Sequence, residues 1–275
     1  MTDEKAFETI AADVAAGHYS EVSAKVLSAA ESLEDPVEIL KYMSLLKTIP
    51  DDGTESKVAE IVVRKADASN GREVAAALRN LDCPEHALKV LEGLPSSDPV
   101  ERLRCRCLFD LEEYESALDN YSKIQNPVIN DRILLTSILS SVGEHKGAIE
   151  TSEALLKENP KDYDVRIAYV SALMMGGKDK EALKYARQGL KDKSADSNAV
   201  AAYVLRIQGN YKAAGGYASR AVQIDNGHIG GMETLGICLA MKEEYQKAKI
   251  VAGAINEISP GDKAAINILT YCEGH

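Results

Sequence analysis

The chain has 275 residues and carries 32 Lys and Arg against 43 Asp and Glu, a formal charge of −11. An acidic surplus of this size argues against a nonspecific nucleic-acid binder and a polybasic membrane-surface protein, since both use Lys and Arg to neutralise phosphates. At 45% hydrophobic and 27% charged, the composition is globular rather than disordered, with enough apolar side chains for a core.

In chain order, the acidic opening MTDEKAF lacks the apolar h-region of a secretory signal, which predicts a protein that stays in the cytoplasm. Ala6–Glu34 predicts two helices around the break AGHYS, the second with Val22, Val26 and Ala29 on one face. Phe7, Ile10 and Val14 form an apolar stripe on the first, a candidate patch for self-association. Val37–Asn70 predicts a second pair around IPDDGTES, with Val58 and Val62 on its second helix. From residue 71 the pattern is regular. Six leucines are each followed nine residues later by an alanine: Leu78/Ala87, Leu108/Ala117, Leu139/Ala148, Leu173/Ala182, Leu205/Ala214 and Leu239/Ala248. Successive alanines lie 30, 31, 34, 32 and 34 residues apart, a period that signals a repeat architecture. The breaks between Leu and Ala are polar or contain Gly (LDCPE, LEEYES, VGEHKG, GGKDKE, QGNYKA and KEEYQK), so each unit reads as helix, tight turn, helix.

Leu135, Ile138 and Leu139 share one face of a first helix, while Ala148, Ser152 and Leu155 share one of a second. All eight prolines fall in breaks or at helix ends, where they do not interrupt a helical ladder. Alternating β-branched runs are absent. Gly261–Cys272 predicts a last helix that caps the array. The expected organisation is one continuous array: irregular repeats over 1–99, regular repeats over 100–260, and a capping helix and tail over 261–275. LPSSDP at 94–99 is the only plausible seam.

On these residues the chain resembles the tetratricopeptide repeat family. Of the family's register of small, large apolar, Gly, Tyr, Ala, aromatic or small, Ala and Pro, the last repeat supplies Gly236, Leu239, Tyr245, Ala248, Ala252 and Pro260. The preceding repeat supplies Ala202, Leu205, Gly209, Tyr211, Ala214, Ala218 and Ala221. Motif position 4, often aromatic in the family, is instead Gly71, Glu101, Arg132, Arg166, Asn198 and Met232. The resemblance implies an all-α, right-handed superhelical solenoid of about eight repeats that binds proteins without catalysing a reaction. It also implies a groove lined by first-helix residues at motif positions 2, 5, 9 and 12. The candidate groove residues are Arg72, Arg79, Arg102, Arg106, Phe109, Tyr203 and Arg206. Arginine forks pair well with carboxylates, so the expected partner is a protein or peptide with an acidic or C-terminal segment. The competing expectation is a solvated face whose arginines bridge neighbouring Glu residues. The family's chaperone-binding members hold an EEVD-type terminus with a Lys and Asn clamp. Corresponding positions here supply Arg and Ala, then Arg and Arg, then Ile and Ser, so that clamp is not matched.

Sites for chemistry are sparse. No P-loop, GxGxxG, HExxH, GxSxG or EF-hand pattern occurs. Cys105 and Cys107 are two residues apart, about 200° around a helix, so their sulfurs diverge and cannot share a metal. The five cysteines are odd in number and irregularly spaced, as reduced cytosolic thiols are. His18, His86, His145, His228 and His275 form no sequence cluster. The expectation is a non-enzymatic adaptor or assembly factor with no cofactor, metal or nucleic acid. A self-associating scaffold is the alternative.

Overall fold

A computed structural model describes residues 3–50 and 52–274, and among them every regular element is helical. The chain divides into two compact units, Met1–Asp131 and Arg132–His275. The first holds α1 (Asp3–Ala16), α2 (Tyr19–Ser32), α3 (Pro36–Leu46), α4 (Thr54–Lys65), α5 (Gly71–Asn80), α6 (Pro84–Glu92), α7 (Asp98–Asp110) and α8 (Tyr114–Tyr121). The division falls inside α9 (Ile129–Ser141). The second continues with α10 (His145–Glu158), α11 (Tyr163–Met175), α12 (Asp179–Gly189), α13 (Ala195–Ile207), α14 (Tyr211–Ile224), α15 (Ile229–Ala240), α16 (Tyr245–Ile258) and α17 (Lys263–Glu273). Residues 94–99, the seam expected from the sequence, lie inside the first unit. There the Leu94 side chain occupies the space beside Gly71 that a Cβ would need, 2.9 Å away.

One turn makes every regular pair. The residue four past each motif leucine has left-handed backbone: Asp82, Glu112, Gly143, Gly177, Gly209 and Glu243, with φ between 59 and 85°. The next N–H then folds back onto the leucine carbonyl, from Cys83 to Leu78 (2.9 Å), Glu113 to Leu108 (2.9 Å) and Glu144 to Leu139 (2.8 Å). The same bond joins Lys178 to Leu173 (2.7 Å), Asn210 to Leu205 (2.9 Å) and Glu244 to Leu239 (3.0 Å). This is the Schellman closure, which satisfies carbonyls that a helix end leaves open. The residue that donates this bond also precedes the second helix. Its carbonyl accepts the N–H of the motif alanine, as in Asn210 with Ala214 (2.9 Å) and Glu244 with Ala248 (3.1 Å). The nine-residue spacing is thus one helix end, one left-handed residue and one helix start. Gly17 makes the same closure between α1 and α2, where His18 N–H donates to Asp13.

All six motif alanines are fully buried, so the second helix lies close against the first. The leucines are less uniform: Leu78, Leu173 and Leu205 are buried, while Leu108, Leu139 and Leu239 are half-buried. In the first unit the core runs through Val22, Val26, Ile39, Met43, Val58, Val62, Val74, Leu78 and Leu91. In the second, Val170, Leu173, Ala182, Val200 and Val204 form one cluster, and Ala248, Ala252, Ile255 and Ile268 another. The last helix turns Ala265, Ile268 and Cys272 inward against α15 and α16, as a cap does. Gly236 lets Ile268 approach, since a Cβ there would meet its Cδ1 at 2.6 Å.

Motif position 4 is buried at Glu101, Arg166 and Asn198 although they are polar, and half-buried at Arg132. Glu101, 1% exposed, pairs with Arg104 at 2.8 Å, and its backbone carbonyl accepts from the Asn120 amide. Arg132 forks onto Glu158 (2.5 and 3.0 Å). Arg166 donates to Ser197 (2.7 Å), which donates in turn to Asp192 (2.8 Å). Hydrogen-bonded pairs therefore replace the aromatic packing typical of this position. The Phe7, Ile10 and Val14 stripe corrects an expectation: Ile10 is buried, and Phe7 and Val14 pack onto the same core. The Phe7 ring meets Tyr42 edge-on at 5.6 Å, so this stripe is an internal surface and offers no self-association patch.

The turn makes a direct prediction. Gly209→Ala places a Cβ in left-handed backbone and destabilises the protein by about 1 kcal/mol, whereas Glu243→Gly relieves that strain and is neutral or stabilising. Urea unfolding followed by circular dichroism measures both. Equal effects of the same sign would contradict the assignment of these residues to closure.

Candidate functional site

In the first unit, the predicted arginines divide into two kinds. Arg79 on α5 pairs with Asp110 on α7 (2.6 Å). Arg102 on α7 places Nε 2.6 Å from the Asp131 carboxylate, which is 1% exposed, and donates an Nη to the Asn126 carbonyl (2.6 Å). Asp98 holds the same loop by accepting the N–H groups of Gln125 and Asn126, both at 2.9 Å. Those backbone bonds, with Arg102 adding its charge, hold the Asp98 carboxyl below the usual range. Arg79 and Arg102 thus bridge neighbouring acids. Arg72 is exposed and Arg106 half-buried, each without an ion-pair partner among the described residues. Phe109 sits edge-on to Tyr114 at 5.4 Å, packed at the α7–α8 turn.

In the second unit, Tyr203 and Arg206 lie on α13, with the guanidinium 5.2 Å from the ring centre. The Tyr203 hydroxyl hydrogen-bonds Ser171 on α11 (2.7 Å). Here three first helices, α11, α13 and α15, line a cleft of about 470 Å³ with Tyr163, Asp164, Ile167, Tyr203, Glu233 and Thr234 among its walls. In the register of the sequence, Asp164 and Gly230 hold position 2, Ile167 and Glu233 position 5, and Tyr203 position 9. Reading those positions for cations and aromatics in sequence finds Tyr203 and Arg206. It passes over Asp164, Ile167 and Glu233, which the same spacing places beside them.

Small and polar groups shape the cleft. Tyr163 stands edge-on to His228 at 4.7 Å. Glycine at 230 leaves room for the Tyr163 ring, since a Cβ there would lie 2.2 Å from its hydroxyl and force the ring to shift. The His228 ring caps α15, its Nδ1 accepting the Gly231 N–H (2.9 Å), an arrangement that requires Nδ1 to be unprotonated. Its Nε2 faces Asp196 at 3.2 Å. Burial raises the Glu233 carboxyl above its ordinary value; Arg206 from α13 opposes the shift and Asp262, ahead of α17, adds to it.

Two other constellations complete the inventory. Burial pushes the thiols of Cys83 and Cys107 up to about 12 and that of Cys105 to about 11, so they stay protonated and pack as small hydrophobes. All five cysteines are free and buried. Cys272 lies on the inward face of α17, and His275 lies outside the described residues. Asp13, His18 and Glu21 bring their ligand atoms within 4.8 Å of one another, a proximity that crosses the α1–α2 turn and escapes a linear scan. Lys25 already fills that space, its ammonium 2.6 Å from Asp13 and 3.5 Å from Glu21.

Residues 140–203 match the tetratricopeptide repeat profile. Over that stretch the chain is similar to tetratricopeptide repeats. A tetratricopeptide repeat protein from Parabacteroides merdae ATCC 43184 superposes with a TM-score of 0.53 over 93% of this chain and 98% of its own, at 13% identity, a likeness of fold. TTC0263, a TPR protein of Thermus thermophilus, covers 64% of this chain and 98% of its own at 13% identity, with a TM-score of 0.46. No curated protein matches the sequence. The repeats suggest a protein-interaction module, and no helix among the described residues is long and apolar enough to cross a membrane.

Two measurements check these placements. Arg102→Ala lowers the urea midpoint because it strands the buried Asp131 carboxylate, while Arg72→Ala leaves the midpoint unchanged. Glu233 binds its proton more tightly folded than unfolded, so it subtracts stability as pH rises from the usual carboxylate range through its folded value. Glu233→Gln therefore raises the thermal midpoint at about pH 7, and the advantage fades towards about pH 4. A pH-independent difference would contradict the burial assigned to this group.

Proposed function

We propose that this repeat array is a non-enzymatic protein-binding module, an adaptor or assembly factor that holds a peptide or a subunit of a larger complex on its first-helix faces. The observation that carries the reading is the cleft of the second unit. Residues at motif positions 2, 5 and 9 of three successive first helices meet there around one space. A row of equivalent positions from stacked repeats forms an extended surface, which suits a chain segment better than a small molecule. The free, buried thiols fit a reducing, cytoplasmic setting.

The acidic-segment part of the proposal rests on Arg72 and Arg106. Arg79 and Arg102 are engaged within the fold and contribute to a partner only by giving up Asp110 and Asp131. Self-association is the second reading, favoured by the exposure of Ile250 on α16 (72%) together with Ile224 and Ile258 on second helices.

A tagged pull-down from native lysate at low and high salt, with mass spectrometry of the retained proteins, tests both readings. The module reading expects a stoichiometric foreign partner, released at high salt and weakened by the double variant Arg72→Glu/Arg106→Glu. Recovery of the untagged chain alone would overturn it in favour of a scaffold.

A further inference from the structure

We propose that the cleft between α11, α13 and α15 receives an arginine side chain of a partner segment. This rests on the protein-binding reading of the array and specifies the chemistry of its second-unit surface. The first ground is charge. Asp164 at the rim and half-buried Glu233 line the cleft, and neither carboxylate has an ion-pair partner among the described residues. Asp196 stands close by, engaged with His228, and Asp162 and Asp262 cap α11 and α17 at its margins. Against these five acids stands the Arg206 guanidinium, with the His228 ring held between the Gly231 N–H and Asp196. A half-buried carboxylate without a partner is unfavourable until a cation supplies one.

The second ground is the unused polar capacity of the walls. Thr234 is 2% exposed and lines the cleft, and its hydroxyl makes no hydrogen bond among the described residues. The Tyr163 hydroxyl lines the same space, likewise without a hydrogen bond among them, over the cleared position at Gly230. The two carboxylates can only accept, and the two hydroxyls can accept as well as donate, so the walls suit a donor-rich cation better than an anion.

The third ground selects guanidinium over ammonium. Tyr163 and Tyr203 supply aromatic walls, and a planar guanidinium packs on such rings while forking onto carboxylates. The chain already uses this chemistry at the edge of the cleft, where Arg206 lies over Tyr203. A cavity of about 470 Å³ holds one such side chain with an adjoining stretch of backbone.

The test is a titration of the full chain with acetyl-Gly-Ser-Arg-Ser-Gly-amide, read by backbone amide shifts in NMR, with the citrulline peptide as its neutral isostere. We expect saturable shifts confined to α11, α13 and α15, with a dissociation constant on the order of 1 mM for one such contact. Citrulline should bind at least about tenfold more weakly, and Glu233→Gln or Asp164→Asn should weaken the arginine peptide by a similar factor, the unliganded spectra confirming that each variant is folded. Equal binding of the two peptides, or shifts outside the cleft, overturns the proposal, as does an absence of shifts at peptide concentrations well above that range. The pull-down tells this failure from failure of the module reading: a partner still captured without an arginine-dependent shift refutes the ligand chemistry alone.

Discussion

The left-handed residue that ends each first helix governs how the two helices of a repeat meet. Once residues 82, 112, 143, 177, 209 and 243 take positive φ, the next N–H is aimed at the motif leucine carbonyl and the second helix starts one residue later. That start brings the motif alanine against the first helix, where a side chain of one carbon allows close approach and burial is complete. In three repeats an acid, Asp82, Glu112 or Glu243, holds this conformation where glycine would hold it with less strain. The turn and the core packing, working together, maintain it.

Because each turn sets its helices in the same way, equivalent side chains of successive first helices line up. The chain uses the alignment differently along its length. In the first unit, Arg79 and Arg102 reach across to acids on neighbouring elements, and the Asp131 carboxylate is buried only because Arg102 accompanies it. In the second, the equivalent positions carry Asp164, Glu233 and Tyr203, which face an open space, and the two carboxylates have no ion-pair partner among the described residues. A chain with a net charge of −11 thus neutralises part of its acid internally and presents another part to solvent at one aromatic-walled cleft.

The helices and their pairing were legible in the sequence because they depend on local terms: apolar spacing, prolines at ends, and glycine at turns. The Leu-to-Ala interval carried the most information, since it is the length of the closure itself. The division inside α9 was not legible, because nothing in the composition near Asp131 and Arg132 marks a boundary. The candidate site was half legible. The register named the positions that line the cleft, Tyr203 among them. The arginines of α5 and α7 were the loudest signal, and their partners Asp110 and Asp131 lie 31 and 29 residues away, so pairing appears only in three dimensions. Phe7, Ile10 and Val14 misled for a related reason: a stripe near a chain end looks exposed until Tyr42 is found against it.

Hydroxyl-radical footprinting of the chain with and without the partner retained at low salt tests the central claim most directly, because it reads side-chain exposure residue by residue. The account predicts that Tyr163, Ile167 and Tyr203 on the first helices become protected while Ile224, Ile250 and Ile258 on the second helices keep their reactivity. Protection of the second-helix residues with an unchanged cleft would contradict it.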